Sequence, residues 1–238
     1  MLLYYIRHAD PVYSPDSLTP LGKKQADAVG KRLEASGIDK IFASSSNRAK
    51  MTASPLSELI KKPITVLDWC NENYAWQEFS KTQENGETEW IYNIPSVKEK
   101  FCSKEILSLG NSWYHHPFFD EKVGKGVERI NRETDKFLSD FGLEHDRETG
   151  TYFVKENCEE KVALFAHYGF GMAFLSSVLD IPYPLFSIRT SINHSGISVI
   201  ELKGKKGDKI IPRMLVHSSE SHLYKEGIPT KYNNEFLV

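Results

Sequence analysis

Residues 2–11 read LLYYIRHADP. Leu2 to Ile6 is an apolar run without polar alternation, the pattern of a strand buried on both faces, as in a parallel sheet. Arg7 and His8, one cationic and one able to become so, follow at once. In an open α/β sheet, ligands bind beyond the carboxyl ends of the strands. The stretch therefore predicts a central strand that delivers Arg7 and His8 to that edge.

The chain on either side fits such a sheet. LTPLGKKQADAVGKRLEASG (18–37) predicts a helix, with Thr19 as N-cap, Pro20 at the first position and Gly37 as the stop. Leu21, Ala28, Val29 and Leu33 fall near one face of it. Asp39 to Ser44 predicts a second strand. The serines after it cap a second helix, in which Pro55 predicts a kink or break. PITVLDW (63–69) predicts a third strand. Strand, helix, strand, helix, strand is the α/β rhythm. KVALFAH (161–167) is another buried strand that ends in a histidine, followed by a helix from GFGMAFLSSVLDI. HSGISVIELKG and KIIPRMLVHSS predict two strands around a turn at Gly204 to Asp208, and GTYFVKEN an edge strand.

The rhythm breaks from Tyr74 to Phe119, where short helical pieces and no clean strand are expected. Ten of these 46 residues are aromatic, nearly twice the density of the whole chain. The region also has four lysines, no arginine and six acidic residues, so it lacks an obvious clamp for anions. Packing of the rings onto the sheet is the preferred reading, and a pocket for an apolar or aromatic ligand the functional one.

Composition narrows the class. The chain has 238 residues, 40% of them hydrophobic, enough for a substantial core. The formal net charge is −2 with both signs dispersed, so there is no basic field for a nucleic-acid backbone. Cys70, Cys102 and Cys158 fit no zinc spacing and read as free thiols in a reducing cytosol. No stretch approaches the roughly 20 apolar residues of a membrane helix. Met1 to Ile6 is too short for a signal peptide. The expectation is a cytoplasmic α/β protein: one domain, 1–238, a three-layer sandwich with a mainly parallel central sheet flanked by helices, and an inserted cap at about 74–119.

Candidate site residues gather at strand ends. Arg7 and His8 end the first strand and His167 the later one. Arg48 sits in the first turn of the helix after the second strand, beside Ser44, Ser45 and Ser46, a setting that favours an anion. Glu72 follows the third strand, as an ion-pair partner or a general acid. His115 and His116 are adjacent and make poor paired metal ligands.

These residues carry a resemblance. YYIRHADP, LTPLGKKQA, IFASSSNRAKMTA, CNENY, LFAHYG and SINHSGISVIEL, in that order, resemble the motifs of the histidine phosphatase superfamily, the phosphoglycerate-mutase-like proteins. The resemblance implies a phosphomonoester hydrolase in which His8 is the phosphorylated nucleophile. Arg7, Arg48 and His167 would hold the phosphoryl oxygens, and Glu72 would protonate the leaving oxygen and then activate water. It implies no cofactor and no metal. The expected partner is a small-molecule phosphomonoester, with no nucleic acid and no membrane; a homodimer is left open. The alternatives are a phosphoglycerate mutase-type phosphotransferase, or a non-catalytic binding module with a degenerate site.

Three departures bear on this. The family's usual glycine after Arg-His is Ala9 here, strained if the position needs a positive φ and tolerated if it needs only a small side chain. Ser14 stands where the mutases carry asparagine, which favours a phosphatase. Tyr168 replaces a common glycine. Ser14, Tyr168 and Asn193 are candidate substrate contacts.

Overall fold

The computed structural model describes residues 1–232 and 236–237. β1 (Leu2–Arg7) leads into a hairpin, β2 (Pro11–Tyr13) and β3 (Asp16–Leu18), and then α1 (Pro20–Glu34). β4 (Lys40–Ser44), α2 (Asn47–Ile60) and β5 (Ile64–Leu67) follow. Next come α3 (Glu72–Phe79), a hairpin of β6 (Ser80–Thr82) and β7 (Thr88–Trp90), and the short helices α4 (Pro95–Phe101) and α5 (Lys104–Leu107). The long α6 (Glu121–Ser139) precedes β8 (Leu143–Asp146), β9 (Thr151–Val154) and β10 (Lys161–Ala166). The chain continues through α7 (Tyr168–Leu179), α8 (Tyr183–Ser187), β11 (Ile197–Glu201), β12 (Lys209–Ile210), β13 (Arg213–Ser219) and α9 (Ser221–Lys225).

The central sheet has the order β13-β11-β1-β10-β4-β5. The four strands β1, β10, β4 and β5 run parallel; β11 pairs antiparallel with β1 and β13 antiparallel with β11, so β11 alone of the six runs the other way. β1 is central and buried on both faces, as its apolar run predicts. Leu3 and Tyr5 join Leu164, Phe170 and Phe174 on one side; Ile6, Ala163 and Phe165 join Val29, Leu33 and Leu56 on the other. This gives three layers, with α1 and α2 against one face and α6 and α7 against the other. Arg7 is level with Ala166 in the β1–β10 register. The next residue on each strand, His8 or His167, therefore leaves the sheet at the same edge.

Local signals hold where one element decides them. The Thr19 hydroxyl accepts the Gly22 N–H and caps α1, and Gly37 takes a positive φ of 71° beyond its end. Of the kink or break expected at Pro55, the break does not occur: α2 runs through it to Ile60. There α1 and α2 pack so closely that a Cβ on Gly30 would lie 3.0 Å from the Pro55 Cβ. Burial of Ala53 and Leu56 beside it keeps the helix in register. Residues 74–119 do contain strand, the β6–β7 hairpin turning through Gly86 at φ 85°. GTYFVKEN supplies not an edge of the main sheet but β9, the middle strand of a separate sheet ordered β12-β9-β8.

Most cap rings pack as core. Phe79, Phe101 and Trp113 are buried around Tyr183, with Trp113 and Tyr183 stacked at 5.5 Å. Among the described residues no helix is long and apolar enough to cross a membrane.

Candidate active site

Four elements deliver the predicted residues to one edge. β1 ends in Arg7 and His8, and the His8 N–H donates to Ala166 O at 2.9 Å. Arg48 is the second residue of α2, whose N-cap is Ser46. Glu72 opens α3, and Tyr168 opens α7 directly after His167.

The His8 ring is 3% exposed, and its Nδ1 lies 2.8 Å from the Ala9 carbonyl oxygen. A carbonyl only accepts, so Nδ1 carries the proton and Nε2 keeps the lone pair. Burial, then His167 and Arg7, push this imidazole well below its usual range. The ring is therefore neutral at neutral pH.

Arg7 is locked from behind. Its Nη1 donates to Ile192 O at 2.7 Å and its Nη2 to His194 Nε2 at 2.7 Å. That contact makes His194 Nδ1 the protonated nitrogen, facing Asp10 Oδ1 at 3.8 Å. Burial and the Arg7 charge hold His194 down to about 3, so it stays a neutral acceptor. Arg48 is held by Asp16 Oδ1 at 2.9 Å, and its Nη2 lies 3.2 Å from His167 Nδ1. His167 Nε2 then donates to Ser44 Oγ at 2.8 Å. The Tyr5 hydroxyl donates to the His167 carbonyl and accepts its N–H, fixing that backbone.

Both Glu72 carboxylate oxygens accept N–H groups of the first turn of α7, from Gly169 and Phe170, each at 2.9 Å. Burial raises its pKa; those two bonds, then Arg48 and Arg7, oppose the rise. The net effect keeps a proton on Glu72 to higher pH than on an exposed glutamate.

Arg7, His8, Arg48, Glu72 and Tyr168 line one cleft of about 450 Å³. His167 is fully buried behind His8, ring centroids 5.3 Å apart, and reaches the cleft through Arg48. Ser14 and Asn193 are not brought to the wall. Ser14 is exposed at the β2–β3 turn, and its neighbour Tyr13 lines the cleft instead. Asn193 is 8% exposed and donates to Glu220 Oε2 at 2.8 Å. Sequence reasoning missed Tyr13 and left His194 without a role. Both act through an arginine distant in sequence, a contact no local pattern announces. Among the described residues no group of three or more His, Cys, Asp or Glu side chains could hold a metal ion.

Ala9 is not strained. Its φ is not in the left-handed region, its N–H donates to Thr52 Oγ1 at 3.0 Å, and its methyl is buried against Leu18 and Ala26. Only a small side chain is needed here. Ala9→Gly is expected to lower stability by about 1 kcal/mol, from the lost methyl and the freer unfolded chain. Thermal melting checks this, and a gain in stability would reveal strain at Ala9.

The fold and the clustered histidines and arginines can be set beside those of known proteins. Residues 3–105 match the sequence profile of the histidine phosphatase superfamily (branch 1), a span that holds Arg7, His8, Arg48 and Glu72. No curated protein matches the chain in sequence. The fold matches that of phosphoserine phosphatase from Entamoeba histolytica, solved with 3-phosphoglyceric acid, at 16% identity and TM-score 0.58, covering 93% of this chain and 98% of that one. A mycobacterial glucosyl-3-phosphoglycerate phosphatase matches at 17% identity and TM-score 0.58, covering 92% and 99%. A putative alpha-ribazole-5'-P phosphatase from Escherichia coli matches at 17% and 0.57, covering 92% and 96%.

Proposed function

We propose that this chain hydrolyses small phosphomonoesters through a phosphohistidine on His8. The observation that carries the reading is the His8 tautomer. With Nδ1–H held by the Ala9 carbonyl, Nε2 is the nucleophilic nitrogen in a cleft flanked by Arg7 and Arg48. Nε2 attacks phosphorus in line, the ester P–O bond breaks, and Glu72 gives its proton to the leaving alcohol. Water, deprotonated by the Glu72 carboxylate, then attacks the phosphohistidine. The P–N bond breaks, His8 is restored and inorganic phosphate leaves. Arg7 and Arg48 stabilise the charge spread over the three equatorial oxygens. As that charge arrives, Arg48 can turn from His167 Nδ1 to the phosphoryl group. The phosphatase names of the proteins sharing this fold support hydrolysis.

The test is to quench the enzyme at steady state with a ³²P-labelled ester, with chelator present. Label that is stable in alkali, labile in acid and mapped to the peptide holding His8 is the expected result. Phosphate release with label on another residue, or with none trapped, would remove the mechanism.

A further inference from the structure

The part of the cleft that would receive the alcohol is built of rings. Tyr168 lies over the Arg7 guanidinium at 5.0 Å and Tyr13 over that of Arg48 at 5.4 Å. The aromatic wall therefore begins at the arginines themselves. Trp90 extends it. A Cβ at Gly169 would lie 2.3 Å from Trp90 Cη2, so the bare backbone at 169 is what lets the indole rest on the first turn of α7. The same turn holds Glu72. Tyr92 stacks on Trp90 at 5.5 Å and 15°, and Trp76 meets it edge-on at 4.9 Å and 80°. Rings fixed by one another lose little freedom when a ligand stacks on them.

The charges along this wall point the same way. Arg7 and Arg48 are committed to the phosphoryl group, and among the described residues no other lysine or arginine lines the cleft. A second anionic group on the substrate would meet ring faces and Glu72. Burying such a group unpaired is costly. Neutral polar groups are present instead: the side chains of Asn73 and Asn93 and, deeper, the Tyr92 hydroxyl, buried and without a hydrogen-bond partner among the described residues.

Resting on the phosphatase reading above, we infer that the substrate is the monophosphate of a ring-bearing alcohol that carries no other negative charge. Its ring packs against the accessible edges of Trp90 and Trp76, and its neutral polar substituents meet the asparagines.

Four esters with leaving alcohols of similar acidity test this: benzyl phosphate, butyl phosphate, glycerol 1-phosphate and 3-phosphoglycerate. Benzyl phosphate is expected to have the highest kcat/KM, about tenfold above butyl phosphate and about 30-fold or more above 3-phosphoglycerate. Trp90→Leu is expected to lower the benzyl-to-butyl ratio about tenfold, and a ratio within one variant cancels any loss of folded enzyme. If 3-phosphoglycerate equals or exceeds benzyl phosphate, the inference is overturned while phosphate release upholds the phosphatase reading. If no ester releases phosphate, the phosphatase reading falls, and binding decides the inference. Benzylphosphonate quenching tryptophan fluorescence at a concentration about tenfold below that of phosphonoacetate supports it; equal or weaker binding overturns it.

Discussion

His8→Ala is expected to lower phosphate release by about 10⁴-fold or more on every ester tried, because in the proposed mechanism it removes the atom that bonds to phosphorus. Arg7, Arg48 and Glu72 remain, so a small rate above water persists from charge stabilisation alone. Phosphate binding should survive, since Ile192 and His194 hold Arg7, and Asp16 holds Arg48, without help from His8. His8→Asn is the control for packing. Its amide N–H can replace Nδ1–H at the Ala9 carbonyl while offering no nucleophile. Both variants should lose activity alike and still bind phosphate. Release within tenfold of wild type in either one, with chelator present, would sink the role of His8.

The central fold was legible because β1 and β10 carry their signal in themselves. Each is a short apolar run that leads into a histidine, and burial on both faces leaves no alternation to confuse. Thr19, Pro20 and Gly37 likewise act within one helix. What was not legible depended on partners. Pro55 is tolerated because α1 packs against that turn of α2, and nothing near Pro55 announces α1. The β6–β7 hairpin did carry a local turn signal, Asn85-Gly86, but each of its strands has three residues, too few to show a period of two. β9 read as an edge because its partner β12 lies more than 50 residues away.

The site divides along the same line. Arg7, His8, Arg48, Glu72 and His167 follow from a rule about strand ends and helix starts, sharpened by a family resemblance. Their support does not. Arg48 is held by Asp16, 32 residues earlier, and Arg7 by His194, 187 residues later. Ser44 and Ser46, expected to favour an anion, instead face His167 Nε2. Their hydroxyls set the histidine's tautomer, which in turn offers Nδ1 to Arg48. Ala9 raised doubt from sequence because glycine can mean a positive φ or simply a small residue. The backbone decides for the second.

Glu72→Gln is expected to separate the two steps of the proposed mechanism. A protonated carboxyl matters in the first step only when the leaving oxygen is a poor one. The single-turnover rate of phosphorylation is therefore expected to fall about 100- to 1000-fold on butyl phosphate and less than about tenfold on p-nitrophenyl phosphate. The second step needs the carboxylate as base for water whichever alcohol has left. With p-nitrophenyl phosphate the variant should give a burst of nitrophenol stoichiometric with enzyme, then a slow steady state. Glutamine cannot accept both the Gly169 and Phe170 N–H groups as the carboxylate does, so some stability is lost. Comparing the two esters within one variant removes that effect. The pH dependence follows from the same proton. Burial raises Glu72, so the acid form of the wild type persists above the usual carboxyl range. His8 is lowered and remains a neutral nucleophile well into acid. Phosphorylation by butyl phosphate should thus be fastest on the acid side and fall as pH rises through the raised Glu72 pKa, a limb absent from the p-nitrophenyl phosphate burst. Equal losses on both esters, or an alkaline limb shared by both, would assign the proton to a group other than Glu72.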